Sequence, residues 1–281
     1  MKKTGARIFV LITLTFLIGA VQLMGQQVAN PAATPKPLQN QPKAVKNPLD
    51  KGDFKVGFSP ATKAKDPKKV MPKEIRDAFQ EIATALNSLV AMPKDIYLNM
   101  DTCGEANAFY SPGTAEITFC YELVAQFQEE FGSITKKQSE IDSMVEDTII
   151  QTLFHELGHC LIDVWDLPAT GREEDAVDQL ATVLLLDGTD TGQASAINAA
   201  LEFAIASKDQ DTGDMIFWDE HSFSKTRFYD MLCLVYGSNP AKNGGLIGPD
   251  MLPEQRAGRC ETEYKRAERA WMKLLAPYIL K

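Results

Sequence analysis

Two histidines four residues apart, His155 and His159, stand in the string His155-Glu156-Leu157-Gly158-His159, with Glu156 directly after the first. Ile149, Ile150, Leu153 and Phe154 precede the string and Leu161, Ile162 and Val164 follow it, which is the spacing of a helix. On a helix, positions i and i+4 share a face. Both imidazoles can therefore reach one zinc ion while Glu156 reaches a water on that metal. The chain has three histidines in all, and two of them lie here, on an apolar helix where an unpaired imidazole is costly to bury.

A catalytic zinc typically takes three protein ligands and keeps a fourth position for water, so a third donor is required. Past a break at residues 167–171, the run Arg172-Glu173-Glu174-Asp175-Ala176-Val177-Asp178 reads as the start of another helix, with Glu174 and Asp178 on one face. Glu174 is the expected third ligand, with Glu173 the weaker alternative. Asp178, one turn on, can accept the outward ring N–H of a ligand histidine and fix its tautomer. The competing reading is that these acids only favour the positive N-terminal end of a helix. Cys160, next to the motif on the same apolar helix, reads as a buried thiol rather than a ligand or nucleophile.

The string HELGH, with E-x-x-x-D beginning fifteen residues after the second histidine, resembles the glutamate-ligand zinc peptidases, the gluzincins. HELGHCLIDVWDLPATGREEDAVDQLA, with CGEANAFY upstream and DEHSFSKTRFYDMLCLVYG downstream, further resembles a family of bacterial metallopeptidase-like proteins known chiefly as a domain of unknown function. That resemblance covers roughly residues 72–276. It implies a zinc site and leaves the substrate open. In thermolysin-like gluzincins an edge strand carrying an Asn-Ala-Phe-aromatic string pairs with the substrate backbone. The matching string here is Asn107-Ala108-Phe109-Tyr110, which makes Asn107 and Ala108 the substrate-binding candidates. Gluzincins also supply a downstream His or Tyr to stabilise the oxyanion. By role alone, since the surrounding sequence departs from thermolysin-like enzymes, His221 is the candidate, with Arg227 and Tyr229 as alternatives.

The elements that must hold these residues are mostly helical. The periodicity predicts helices over 71–92, 122–131, 138–165, 173–187, 191–207, 222–236 and 253–276. Short strands are predicted at 96–100, 108–110 and 117–121, as an antiparallel hairpin around Ser111-Pro112-Gly113-Thr114. The expected class is α+β, a helix-dominated zincin-like domain with a short antiparallel sheet. Five cysteines in an exported chain point to two disulfides, Cys103 with Cys120 across the hairpin and Cys233 with Cys260, leaving Cys160 over.

Residues 1–25 carry Lys2, Lys3 and Arg7, no acid, and an apolar run from Ile8 to Met24, as a secretory signal does; a membrane anchor is the alternative. Residues 26–70 are rich in Pro, Ala, Gln, Asn and Lys and read as a disordered linker rather than an inhibitory propeptide, leaving 71–281 as the folded domain. That domain carries 17 basic against 35 acidic side chains, which argues against a nucleic-acid partner. Asp209, Asp211 and Asp214 do not have the spacing of a calcium loop and are expected to be a solvated acidic loop.

The expected protein is thus secreted or periplasmic, not stably inserted in a membrane once the signal is cleaved, and acts on peptide or protein substrates. Two other readings use the same residues: a zinc-stabilised binding or scaffold protein without turnover, and a hydrolase of a non-peptide amide. Composition and motifs do not fix the oligomeric state.

Overall fold

The described residues, in a computed structural model, are 47–62, 65–208 and 220–280. The signal segment, residues 26–46 of the expected linker and the acidic loop around Gly213 lie outside them.

Apolar side chains in Ile96–Asp101 (β2) and Glu116–Cys120 (β4) leave both strands nearly inaccessible to water, so they form the middle of a sheet. They run parallel, with Leu98 opposite Ile117 and Met100 opposite Phe119. Phe54–Val56 (β1) adds in parallel to the outer side of β2, and Ala108–Ser111 (β3) pairs antiparallel with β4, giving the order β1-β2-β4-β3. The sheet is therefore mixed, which corrects the expectation of a purely antiparallel one. The expected hairpin exists as β3–β4, turning at residues 112–115, but β2 lies on the far side of β4 from β3. Parallel neighbours need a crossover, and here the crossover carries β3 itself. It is tied down where Glu122 accepts from the backbone N–H groups of Cys103 and Gly104 at 3.2 and 2.9 Å. The Cys103–Cys120 disulfide forms at this point, its Cα atoms 5.5 Å apart, because Asp101 pairs with Cys120 across the parallel strands rather than across the hairpin.

β1 also corrects the linker boundary at residue 70. Phe54 is only 1% exposed, and the Asn87 side chain brackets its backbone by accepting from its N–H and donating to its carbonyl. The following helix, Pro67–Val70 (α1), is capped by Asp66. One buried aromatic residue within a Pro- and Lys-rich stretch is too small a signal to read as a strand.

Lys73–Leu89 (α2) buries Ile75, Phe79, Ile82 and Leu86 at helical spacing, and Phe79 meets Phe119 of β4 with ring centroids 5.9 Å apart. Beyond β4 the chain is helical: Tyr121–Ile134 (α3), Gln138–Trp165 (α4), Glu173–Leu185 (α5), Asp190–Ala206 (α6), Ser224–Ser238 (α7), Glu254–Ala257 (α8) and Cys260–Leu275 (α9). The helix expected over 253–276 is interrupted at Gly258 and Arg259, between α8 and α9. The second disulfide, Cys233–Cys260, joins α7 to the first residue of α9. Among the described residues no helix is long and apolar enough to cross a membrane.

α4 spans 28 residues, about 42 Å at 1.5 Å per residue, and passes between β3 on one side and α5 and α6 on the other. Its buried stretch includes Leu153 through Gly158. Gly158 is what lets α5 come close: a Cβ there would stand 2.7 Å from Val177 Cγ1 and 2.8 Å from Val177 Cβ. A left-handed residue, Asp166 at φ 49°, ends α4 and turns the chain back toward α5.

Candidate functional site

α4 and α5 meet where His155 and His159 face Glu174. The two Nε2 atoms are 3.3 Å apart, and Glu174 presents Oε2 to His155 Nε2 at 3.1 Å and Oε1 to His159 Nε2 at 3.2 Å. On the outward side of each ring a second carboxylate takes Nδ1: Asp178 Oδ1 at 2.8 Å from His155 and Glu173 Oε1 at 2.8 Å from His159. Each Nδ1 thus donates outward, and in a neutral imidazole Nε2 is then a bare acceptor. Two imidazole Nε2 atoms and the two oxygens of one carboxylate face one another, an arrangement that a proton or a metal cation stabilises.

The electrostatics agree with the geometry. Burial pulls His155 toward its neutral form, but Asp178 and Glu174 outweigh it and push the ring up to about 9. His159 is raised in the same way, with burial opposed by Glu174 and Glu173. Burial works against the charge on Glu174, yet bonds from His155, His159 and His221 hold it well below the usual carboxylate range. The same negative surroundings that favour a proton on these rings favour a metal ion, which binds in competition with that proton.

Glu156 points to the same cleft and is 6% exposed. Burial raises its carboxyl, while the neighbouring histidines and the Tyr110 backbone pull it back. The cleft has a volume of about 480 Å³ and brings together Asn107, Ala108, Glu156, the two motif histidines, Glu174 and His221. β3 forms one wall. It is the last strand of the sheet, so among the described residues its outer edge has no strand partner. Tyr110 is fixed in that wall by a 2.7 Å bond from its hydroxyl to Asp163.

His221 sits on the segment before α7, with Nε2 3.0 Å from Glu174 Oε2 and its ring roughly parallel to that of His155. The segment is pinned to the start of α5, where Ser222 donates to Asp175 at 2.7 Å and Arg172 reaches the His221 carbonyl at 3.4 Å. His155, Glu174 and His221 also form a group whose donor atoms lie close enough together to hold an ion. Arg227 and Tyr229, the alternatives to His221, do not line the cleft. Arg227 lies behind the site, its Nε and Nη2 on the two oxygens of Asp178 at 2.6 and 2.8 Å. The pairing of Glu173 with His159 and of Arg227 with Asp178 escaped the sequence reading. The first had a local signal in the position of Glu173 beside Glu174; the second, 49 residues apart in the chain, had none. Cys160 is buried and unpaired, its thiol pushed up by burial, as expected of a thiol without a chemical role.

Residues 59–275 match the model of a family, DUF4344, described as "Putative metallopeptidase". The chain belongs to this family. The matched span contains β2 to β4, α4 and α5, and so every residue of the cleft. No curated protein and no solved structure matches the chain. Membership assigns a metallopeptidase-like character and a metal ion, and the convergence of His155, Glu174 and their neighbours gives that ion a place.

Proposed function

We propose that the protein is a zinc-dependent peptide-bond hydrolase in which His155, His159 and Glu174 hold the metal. The observation that carries this reading is the size of the donor triangle. Ligands about 2.0–2.1 Å from a tetrahedral zinc lie about 3.3–3.4 Å from one another; the two imidazole nitrogens stand 3.3 Å apart, and the Glu174 carboxylate faces both, Oε2 at 3.1 Å from His155 and Oε1 at 3.2 Å from His159. Two nitrogens and one oxygen also suit zinc better than magnesium or calcium, which prefer oxygen alone. A zinc ion held there supplies Lewis acidity toward a carbonyl and lowers the pKa of its water to about 7.

The chain's own groups do the rest. An extended peptide lies along the free edge of β3, where backbone groups at Ala108 and the Asn107 side chain hold it. Glu156 takes the proton of the attacking water on its carboxylate and returns it to the leaving nitrogen. Its burial, which raises its proton affinity, suits that exchange. His221 donates from Nε2 to the carbonyl oxygen as negative charge gathers there. Asp178 and Glu173 keep the two ligand rings in the tautomer that leaves Nε2 bare. Two disulfides and the signal-like sequence of residues 1–25 support a secreted or periplasmic location.

His221 also favours a second reading. At 3.0 Å from Glu174 Oε2 it is close enough to fill a fourth coordination position, and a closed four-ligand site is structural rather than catalytic. Two variants separate the readings. Glu156→Gln keeps zinc and lowers peptide turnover by about 10²–10⁴-fold; turnover equal to wild type contradicts the proposed role. His221→Ala lowers turnover and leaves zinc affinity unchanged if His221 serves the oxyanion. A steep loss of zinc with no peptide turnover in the parent protein instead supports the closed site.

A further inference from the structure

Arg227 is partly buried, its side chain 16% exposed, and it does not line the cleft. Its guanidinium grips Asp178 with two parallel bonds, Nε to Oδ2 at 2.6 Å and Nη2 to Oδ1 at 2.8 Å, and its central carbon lies 4.0 Å over the ring of Phe203. Asp178 in turn accepts His155 Nδ1 at 2.8 Å through the same Oδ1. The line from Phe203 of α6, through Arg227 of α7 and Asp178 of α5, ends on a ring of α4. It crosses four helices.

We infer that Arg227 is a positioning residue for the metal: it clamps Asp178 so that His155 is held with Nε2 aimed at the ion. This rests on the metal site proposed above and extends it to a residue that touches neither metal nor substrate. A lone carboxylate can rotate about its side-chain bonds and offer either oxygen to His155. The two-point fork removes that freedom, because turning the carboxylate breaks both bonds from Arg227 at once. Phe203 fixes the fork from behind. Glu202, the residue before Phe203, is buried and held protonated to about 8 by that burial and by Glu130, so it does not compete with Asp178 for the guanidinium near neutral pH. Asp178 is the main partner of the Arg227 charge, with Glu202 and Glu174 acting more weakly at a distance.

Lysine at this position keeps the charge and loses the fork, so Arg227→Lys isolates the geometric role. The expected result for the full mature chain is zinc binding weakened by about 10–100-fold in competition with a chromophoric chelator, the range typical of groups that orient a metal ligand. The cobalt-substituted protein should show an altered d–d absorption spectrum. A double-variant cycle tests whether the effect runs through Asp178. Arg227→Lys with Asp178→Asn should bind zinc no more weakly than Asp178→Asn alone, because the clamp then has nothing to hold. If the Lys variant does not fold, Phe203→Leu removes the ring behind the guanidinium without touching the Asp178 bonds. It is expected to weaken zinc a few-fold, with the same loss of effect in the Asp178→Asn background. Zinc affinity in both single variants within twofold of wild type overturns the inference, as do losses that multiply in the double variants. Wild-type protein that takes up no zinc overturns the metal site itself, and this inference with it; wild-type protein that binds zinc beside an unaffected Arg227→Lys overturns the inference alone.

Discussion

Gly158→Ala is the smallest change that should dismantle the site without touching any of its polar groups. The added Cβ would stand 2.7 Å from Val177 Cγ1 and 2.8 Å from Val177 Cβ. Carbon atoms in contact rest about 3.5–4.0 Å apart, so the two helices must part by roughly 1 Å. Val177 is fully buried and has no free side to retreat into, so α5 moves as a unit. Val177 lies between Glu174 and Asp178 on that helix, and a constellation of this kind tolerates displacements of only about 0.5 Å. Alanine gains about 1 kcal/mol over glycine as a helix former, against about 1–3 kcal/mol for overpacking a core. The net expectation is a loss of up to about 2 kcal/mol, or up to about 4–8 °C in melting temperature for a domain of this size, together with at least tenfold weaker zinc binding. Thermal melts and zinc competition on the same samples measure both. Adding Val177→Ala removes the 2.7 Å clash but leaves the one at 2.8 Å, so it restores only part of either quantity. A Gly158→Ala protein that melts at or above wild type and binds zinc within twofold of it would refute the reasoning.

Removing the buried acid behind the site should change the pH dependence of stability. Glu202 ordinarily titrates near 4.5 and is raised to about 8, first by burial and then by Glu130, with Arg227 pulling the other way and Asp178 adding to the rise. Between those values the folded chain keeps a proton that the unfolded chain releases, so this contribution is complete below about pH 4.5 and is lost as pH rises toward 8. At 1.4 kcal/mol per unit, the loss is on the order of 5 kcal/mol. Glu202→Gln should therefore flatten the decline in denaturant midpoint from pH 5 to pH 8.5 and exceed wild type at the upper end; parallel profiles for the two proteins would count against it. The Glu156→Gln and His221→Ala comparisons described above ask the catalytic question with metal content held in view.

Much of the site was legible because a helix repeats its geometry locally. The spacing of His155 and His159, and of Glu174 and Asp178, puts each pair on one face whatever the rest of the chain does, and the structure brings both faces together. Both disulfides were legible for a related reason: the four bridged cysteines fall into two pairs close in sequence, 17 and 27 residues apart. What escaped notice depends on contacts distant in sequence. The parallel pairing of β2 with β4 requires β3 to cross over, and no residue in 96–120 distinguishes that from a plain meander. Phe54 joins the sheet because β2 leaves it an open edge, while its neighbours in sequence resemble a linker. Arg227 finds Asp178 only after α7 packs against α5 and α6, and its aromatic support from Phe203 comes from yet another helix.

The most direct test of the central claim is the zinc content of the purified mature protein, measured by elemental analysis beside Glu174→Ala. Glu174 is the one residue bonded to all three histidines, so its removal opens the donor set without disturbing α4. The account predicts close to one zinc per chain in the parent and a sharply reduced content in the folded variant. A folded parent without zinc, or a Glu174→Ala protein that retains its full complement, would contradict it.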